Sequence, residues 1–254
     1  MKYHAYITAG GRISGDFASK AGTDIKAMIK INGKSLIQRA IYALIESGSV
    51  GKIVVVAPEE VKKSSDVRGA DDFISADADG VENILKGLKY FSGEKHVLLC
   101  NSDLPFITAD SVRGFVERCP EDALICYPVY EQNEIDPVIR PGVPSYIKLK
   151  DGHYTGGAIL RLETEACIER IEQIGKSFNS RKSAFAMASL LGWGIVVKFL
   201  LGQCSLTDIL KRVEKIMGGR CAAIRGCDPG ITIDIDDETS WQFSVDYANR
   251  HNFS

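Results

Sequence analysis

The chain has 254 residues, with 31 lysines and arginines against 33 acidic residues, a formal net charge of −2 and 45% hydrophobic residues. This balance excludes disordered, collagen-like and coiled-coil chains, and it provides no basic surplus for a nucleic-acid footprint, so no nucleic-acid partner is expected. Seven cysteines without a CxxC pair signal neither a zinc knuckle nor a disulfide framework; reduced cytoplasmic thiols are the expectation.

The N-terminus, MKYHAYITAGG, has too short an apolar run for a secretory leader. Tyr3–Thr8 predicts a short strand, ended by Ala9-Gly10-Gly11. Leu36–Glu46 has helical spacing, with Leu36, Ala40, Ala43 and Leu44 on one face. Lys52–Ala57 (KIVVVA) is a continuous β-branched run and predicts a buried strand. Val81–Tyr90 returns to helical spacing, and His96–Cys100 (HVLLC) is a second buried-strand candidate. Strands buried on both faces and alternating with helices predict an α/β architecture with a covered parallel sheet.

Ala123–Val129 and Ala158–Leu162 predict further strands, separated by a turn-rich stretch with Pro137, Pro141 and Pro144. Glu163 to about Met217 reads as helical. Ile231–Ile235 alternates isoleucine with polar residues, and Thr239–Arg250 predicts a closing helix. With no internal repeat or low-complexity linker, one domain spanning 1–254 is expected, with 163–227 as a helical insertion. Within it, Ala184–Gly202 (AFAMASLLGWGIVVKFLLG) is long enough to span a bilayer but holds Lys198 and three glycines, and it follows Lys176, Arg181 and Lys182. Three readings compete: a core helix or hairpin, which is preferred, a helix lying in a membrane interface, and a true span.

In an open parallel sheet, ligands bind at the carboxyl ends of the strands. After the first strand, Gly10-Gly11 lets the backbone approach a triphosphate, and Arg12, Lys20 and Lys26 supply positive charge. No GKS or GKT closes this loop, so it is not a Walker A loop, and a plain glycine turn is the alternative. After HVLLC, Asp103 in Asn101-Ser102-Asp103-Leu104-Pro105 is placed either to hold a divalent metal or to cap the next helix, a job that Thr108 or Asp110 suits better. In Thr232-Ile233-Asp234-Ile235-Asp236-Asp237-Glu238, Asp234 and Asp236 share one strand face, and Asp237 or Thr239 is placed to cap the last helix. No serine elbow or Cys-His signature accompanies the histidines, and Cys100 and Cys126 lie in apolar runs where thiols are inert.

Together these residues resemble the GT-A-type nucleotidyltransferases, above all the MobA-like family of the molybdenum-cofactor guanylyltransferase and its relatives. The family's opening strand and L-A-G/A-G-x-x-x-R-M loop is similar to Ile7-Thr8-Ala9-Gly10-Gly11-Arg12, its next lysine to Lys26, and its G-K-P-L to Gly33-Lys34-Ser35-Leu36. Its D-x-P resembles Asp103-Leu104-Pro105. Its glycine pair before a strand resembles Gly156-Gly157-Ala158-Ile159, and its closing acidic element resembles Asp236-Asp237-Glu238. Gly80-Val81-Glu82-Asn83 is similar to the segment that touches the nucleobase.

The resemblance covers most of residues 3–162 and 228–250. It implies a three-layer α/β/α, Rossmann-like GT-A fold with a mostly parallel sheet. It also implies transfer of a nucleoside monophosphate from a triphosphate to a phosphate-bearing acceptor, with release of pyrophosphate. Ala9, Gly10, Gly11, Gly80 and Asn83 would bind the nucleotide, and Asp103 and Asp236 would hold Mg²⁺. Lys26 and Arg12 would be the catalytic cations, with Lys20 as the alternative to Arg12, and Gly156 and Gly157 would face the acceptor. The acceptor is unassigned; the apolar segment and its basic flank make a lipid-linked phosphate, with peripheral membrane contact, one candidate. Two other classes stay open. A nucleotide-sugar glycosyltransferase would normally carry D-x-D where this chain has Asn101-Ser102-Asp103. Retention of Lys26, Asp103 and Asp236 counts against a non-catalytic membrane-associated regulator.

Overall fold

In the computed structural model, residues 2–135, 139, 144–171, 192–251 and 253 are described. The first half runs β1 (Tyr3–Thr8), α1 (Gly15–Ala21), the two-residue strands β2 (Lys30–Ile31) and β3 (Lys34–Ser35), α2 (Leu36–Glu46), β4 (Val50–Ala57) and α3 (Glu59–Lys62). It continues through β5 (Asp72–Ser75), α4 (Gly80–Tyr90), β6 (His96–Asn101) and α5 (Ala109–Arg118). The second half has β7 (Ile125–Glu131), α6 (Gln132–Ile135), β8 (Ile147–Leu149), β9 (Gly152–Gly156), β10 (Ile159–Glu163) and α7 (Thr164–Glu169). Then follow α8 (Trp193–Leu200), α9 (Leu206–Met217), β11 (Cys221–Ile224) and α10 (Glu238–Arg250).

Period two in the central strands creates the layers. Ala5 and Ile7 of β1, Ile53 and Val55 of β4, and Leu98 and Cys100 of β6 enter one apolar core with α2, α5 and α10. The intervening Tyr6, Val54, Val56, Val97 and Leu99 enter a second core on the opposite face, with α4, α7 and α9. Successive side chains of a strand point to opposite faces, so a run apolar at every position must be covered on both sides. This gives three layers, α/β/α.

Among the described residues the sheet has nine strands, ordered β5-β4-β1-β6-β10-β7-β9-β8, with β11 also paired to β7. The strands β5, β4, β1 and β6 are mutually parallel. The expected parallel sheet occupies this half; β10 then runs antiparallel to both β6 and β7, so the whole sheet is mixed. Caps set the helix starts. Ser35 accepts from Gln38 N at α2, while Thr108 with Ser111 and Asp237 with Ser240 form capping boxes at α5 and α10.

Two expectations need correction or a boundary. The isoleucine-rich stretch 231–235 makes no sheet ladder: it starts in a short 3₁₀ turn (Pro229–Ile231) and runs on as an irregular segment. Its alternation survives, since Ile231, Ile233 and Ile235 are all buried. Of the apolar stretch 184–202, residues 184–191 lie outside the described ones, as do Lys176, Arg181 and Lys182. The described remainder is not a core helix, because α8 buries none of its residues and Trp193 and Leu200 are 61% and 78% exposed. Among the described residues no helix is long and apolar enough to cross a membrane. The cysteines are all free and buried; burial pushes the Cys221 and Cys227 thiols up to about 11 and raises the Cys100 thiol further, whereas a hydrogen bond with Cys119 lowers that of Cys126.

One close approach is decisive for the second core. A Cβ on Gly87 of α4 would lie 2.2 Å from the ring of Tyr6, which is fully buried under it. Gly87→Ala is therefore expected to cost about 1–3 kcal/mol of stability. Urea unfolding monitored by circular dichroism measures this, and an unchanged midpoint would contradict the packing described.

Candidate active site

The loop after β1 is pinned by its backbone. Ala9 N donates to Val56 O at 2.9 Å, and the chain leaves through α1 and returns so that Arg12 and Ile25 form an antiparallel bridge. Ile13 N to Asp24 O (2.9 Å) and Lys26 N to Gly11 O (3.0 Å) close this return. Lys26 is thereby laid across Gly11, where an added Cβ would sit 3.2 Å from Lys26 Cδ. After β6, Ser102 N donates to Thr8 O at 3.2 Å, which sets Asp103 beside the end of β1. The late acidic segment joins through Ala158 N to Ile231 O (2.9 Å) and Ile235 N to Asp103 O (3.2 Å).

These connections bring Asp103, Asp234 and Asp236 together, with one carboxylate oxygen from each lying within 4.8 Å of the others. The Lys26 ammonium ion-pairs with both Asp103, at 3.4 Å, and Asp236. Burial works to lower the Lys26 pKa, but the two carboxylates outweigh it and raise it, so the side chain is held as a cation. Burial raises the Asp103 carboxyl, and Asp236 adds to this against the pull of Lys26. Asp234 is pushed up to about 6 by burial and by its neighbours Asp103 and Asp236. One positive charge thus serves three carboxyl groups.

Other residues singled out by sequence gather around the same loop. Ala9 is fully buried, and Gly10 lies against Asn83, whose Nδ2 would be 3.1 Å from an added Cβ. Asn83 accepts from Asp77 N at 2.6 Å and donates to Asp77 O at 3.0 Å, fixing the turn that leads to Gly80 at the start of α4. Arg12 is directed elsewhere, to Asp24 and to Glu60 at 3.0 Å, both exposed pairs. Lys20 pairs with Glu238 at the first turn of α10, tying α1 to that helix. The proposed caps at Thr108 and Asp237 are both present, which leaves Asp103 free of a capping role.

Gly156 and Gly157 sit where β9 gives way to β10 along β7. A Cβ on Gly156 would be 1.8 Å from the Tyr127 hydroxyl, and Gly157 N donates to Pro128 O at 3.0 Å. Tyr127 is the residue the sequence does not flag; its phenol is raised by burial and then by the charge of Asp234. Asp234 is legible only as the same-face partner of Asp236. Tyr127 and Asp234 both line a cavity of about 1080 Å³, together with Gly156, Ile147, Leu149, Leu206, Leu210 and Asp236.

The MobA-like NTP transferase domain matches residues 5–170 of this chain. A probable molybdenum cofactor guanylyltransferase of Thermococcus sibiricus is 24% identical over 175 residues, 66% of this chain and 85% of that protein. A 2-C-methyl-D-erythritol 4-phosphate cytidylyltransferase of Rhodococcus jostii is 25% identical over 104 residues, 39% of this chain and 46% of its own. Among solved structures, a hypothetical transferase from Thermus thermophilus superposes with a TM-score of 0.81 at 26% identity, over 94% of this chain and 99% of that one. A nucleotidyl transferase of Methanothermobacter thermautotroptrophicus shares the fold, with a TM-score of 0.60 at 16% identity, over 99% of each chain. Both the fold and the match across residues 5–170 lead to one statement: this chain belongs to the MobA-like NTP transferase domain family.

Proposed function

We propose that the protein is a nucleotidyltransferase that transfers a nucleoside monophosphate from a nucleoside triphosphate to a phosphate-bearing acceptor, releasing pyrophosphate. The observation that carries this reading is the convergence of Lys26 and three carboxylates beside the Gly10-Gly11 loop. A divalent cation, Mg²⁺ in this proposal, suits the donor set. The Asp103 Oδ1 atom is buried without a hydrogen-bond partner, and hard carboxylate oxygens are what such a cation takes. Asp103 and Asp236 would hold it, with Asp234 as a third ligand. When bound, the cation neutralises phosphate charge and orients the phosphates for in-line displacement.

The chain's own groups supply the rest. Backbone N–H groups of the Gly10-Gly11 loop cradle the triphosphate, which the lack of Cβ atoms allows to come close. An acceptor phosphate oxygen forms a bond to the α-phosphorus. The bond between that phosphorus and the bridging oxygen breaks, and pyrophosphate leaves with the electron pair. A dianionic acceptor needs no protein base. Lys26 counters the negative charge gathering on the α-phosphate and the leaving group, so catalysis is positioning and electrostatics. Arg12, paired with Asp24 and Glu60, serves the triphosphate only after releasing them.

Pyrophosphate release with each of the four ribonucleoside triphosphates and Mg²⁺, over a panel of sugar, polyol, cofactor and lipid phosphates, tests this reading. Lys26→Ala and Asp103→Ala are each expected to lower kcat/KM by about a hundredfold or more. Turnover indifferent to Asp103→Ala would refute it.

Asp234 gives a second test, through stability. Its carboxyl ionises near 4 in an unfolded chain and at about 6 in the folded protein. Between those values the folded protein keeps a proton that the unfolded chain has lost, so this group's contribution to stability falls as pH rises through the window. In metal-free protein, the Tm of Asp234→Asn relative to wild type should therefore rise from pH 5 to pH 7.5. Mg²⁺ should raise the wild-type Tm more at pH 7.5 than at pH 5, and a Tm indifferent to Mg²⁺ at both values would argue against the cation site.

A further inference from the structure

The cavity that begins at the acid cluster is unlike the nucleotide side of the site. Its lining combines Asp234, Asp236 and Asp237 with apolar residues of β8, β9 and α9. Among the described residues lining it there is no lysine or arginine. Among the described lining residues a soluble polyanionic acceptor would therefore meet carboxylates, hydroxyls and hydrocarbon, with no ammonium or guanidinium group. At about 1080 Å³ the cavity lies just above the range for small-molecule sites, about 300–1,000 Å³.

Two helices extend this apolar character outward. On α9, Leu206, Ile209, Leu210 and Val213 follow helical spacing along one face, yet each is only half-buried at the cavity. Next to it, α8 packs through Ile195 onto the same apolar cluster as Leu149, Tyr154, Leu206 and Ile209. The rest of α8 and the residue after it carry Trp193, Val197, Leu200 and Leu201 to the surface, all more than half exposed. Eight residues are too few to span a bilayer, whereas an apolar helix of this kind can lie in its interface.

We propose that the acceptor is a lipid-borne phosphate: its headgroup reaches the acid cluster, its apolar chain occupies the cavity between β8–β9 and α9, and α8 rests in the bilayer surface. This rests on the nucleotidyltransferase reading. It adds that the acceptor site selects for a hydrocarbon chain next to the reacting phosphate.

Decyl phosphate and ethyl phosphate, titrated into protein loaded with Mg²⁺ and non-hydrolysable triphosphate analogues, give the direct comparison by calorimetry. Decyl phosphate is expected to bind more than about tenfold tighter, because each buried methylene adds to the transfer free energy. Ile147→Asp and Leu210→Asn should close that gap while the analogues still bind; Ile147 is 57% exposed, so its replacement spares the core. In flotation with phosphatidylcholine–phosphatidylglycerol vesicles, wild type should rise with the vesicles and Trp193→Glu/Leu200→Glu should not. Equal affinity for the two phosphates, a preference that survives both cavity variants, or no flotation of wild type would overturn the proposal. Analogue binding distinguishes the two levels. Failure of wild type to bind any analogue overturns the nucleotidyltransferase reading and this proposal with it, whereas normal analogue binding with equal phosphate affinities overturns this proposal alone.

Discussion

Mutual repulsion among three carboxylates, relieved by a single ammonium, is the constraint that the surrounding structure has to satisfy. Asp103, Asp234 and Asp236 would separate if their backbones could move, since like charges in a partly buried place disfavour one another. They are held by segments that cannot readily give way. Asp103 follows a strand buried on both faces, and the segment carrying the other two is anchored by three isoleucines in the core. Lys26 is fixed in turn by the return of its chain against Gly11. Packing energy from the core thus maintains an electrostatic arrangement that is unfavourable by itself.

The site also lies at a change of construction in the sheet. On one side β5, β4, β1 and β6 are parallel, and their carboxyl ends supply backbone-rich loops: Gly10-Gly11, the Asn83-braced turn and Asp103. On the other side β10, β7, β9 and β8 are antiparallel, and short strands with α9 build apolar walls. The cluster occupies the seam. A half that ends in main-chain-rich loops and a half that shapes itself with apolar side chains meet at the acidic residues.

The parallel half was legible because both-face burial writes itself into sequence. KIVVVA and HVLLC allow few structures besides a covered strand, and the amphipathic run at Leu36–Glu46 matches α2 end to end. The antiparallel half was less so. β8, β9 and β11 are three to five residues long, too short for a periodic signal, and the direction of β10 depends on partners distant in sequence. Within the site, Lys26, Asp103 and Asp236, which the family resemblance singles out together, lie side by side. Asp234 was visible as a same-face neighbour and gains its place only from the way residue 235 hydrogen-bonds to Asp103. Tyr127 had no signal, because its significance lies in a glycine that folds beneath it from almost thirty residues away. For residues 193–201, hydropathy suggested interior while the fold left them at the surface, since no local pattern records which face finds a partner.

Anchoring two of the three acids in the segment that leads into α10 has a consequence for biogenesis. The parallel strands β1, β4, β5 and β6, together with Lys26 and Asp103, precede this segment by more than a hundred residues of synthesis. Chains emerge and begin to fold from the N-terminal end, so a partly made chain can assemble the loops around Gly10-Gly11 and Asp103 before Asp234 and Asp236 exist. The three-carboxylate cluster is then completed late, when Ile231, Ile233 and Ile235 dock and the Asp237 cap starts α10. The finished site is in this sense a proofreading mark: its carboxylates meet only in chains whose last elements have found the core.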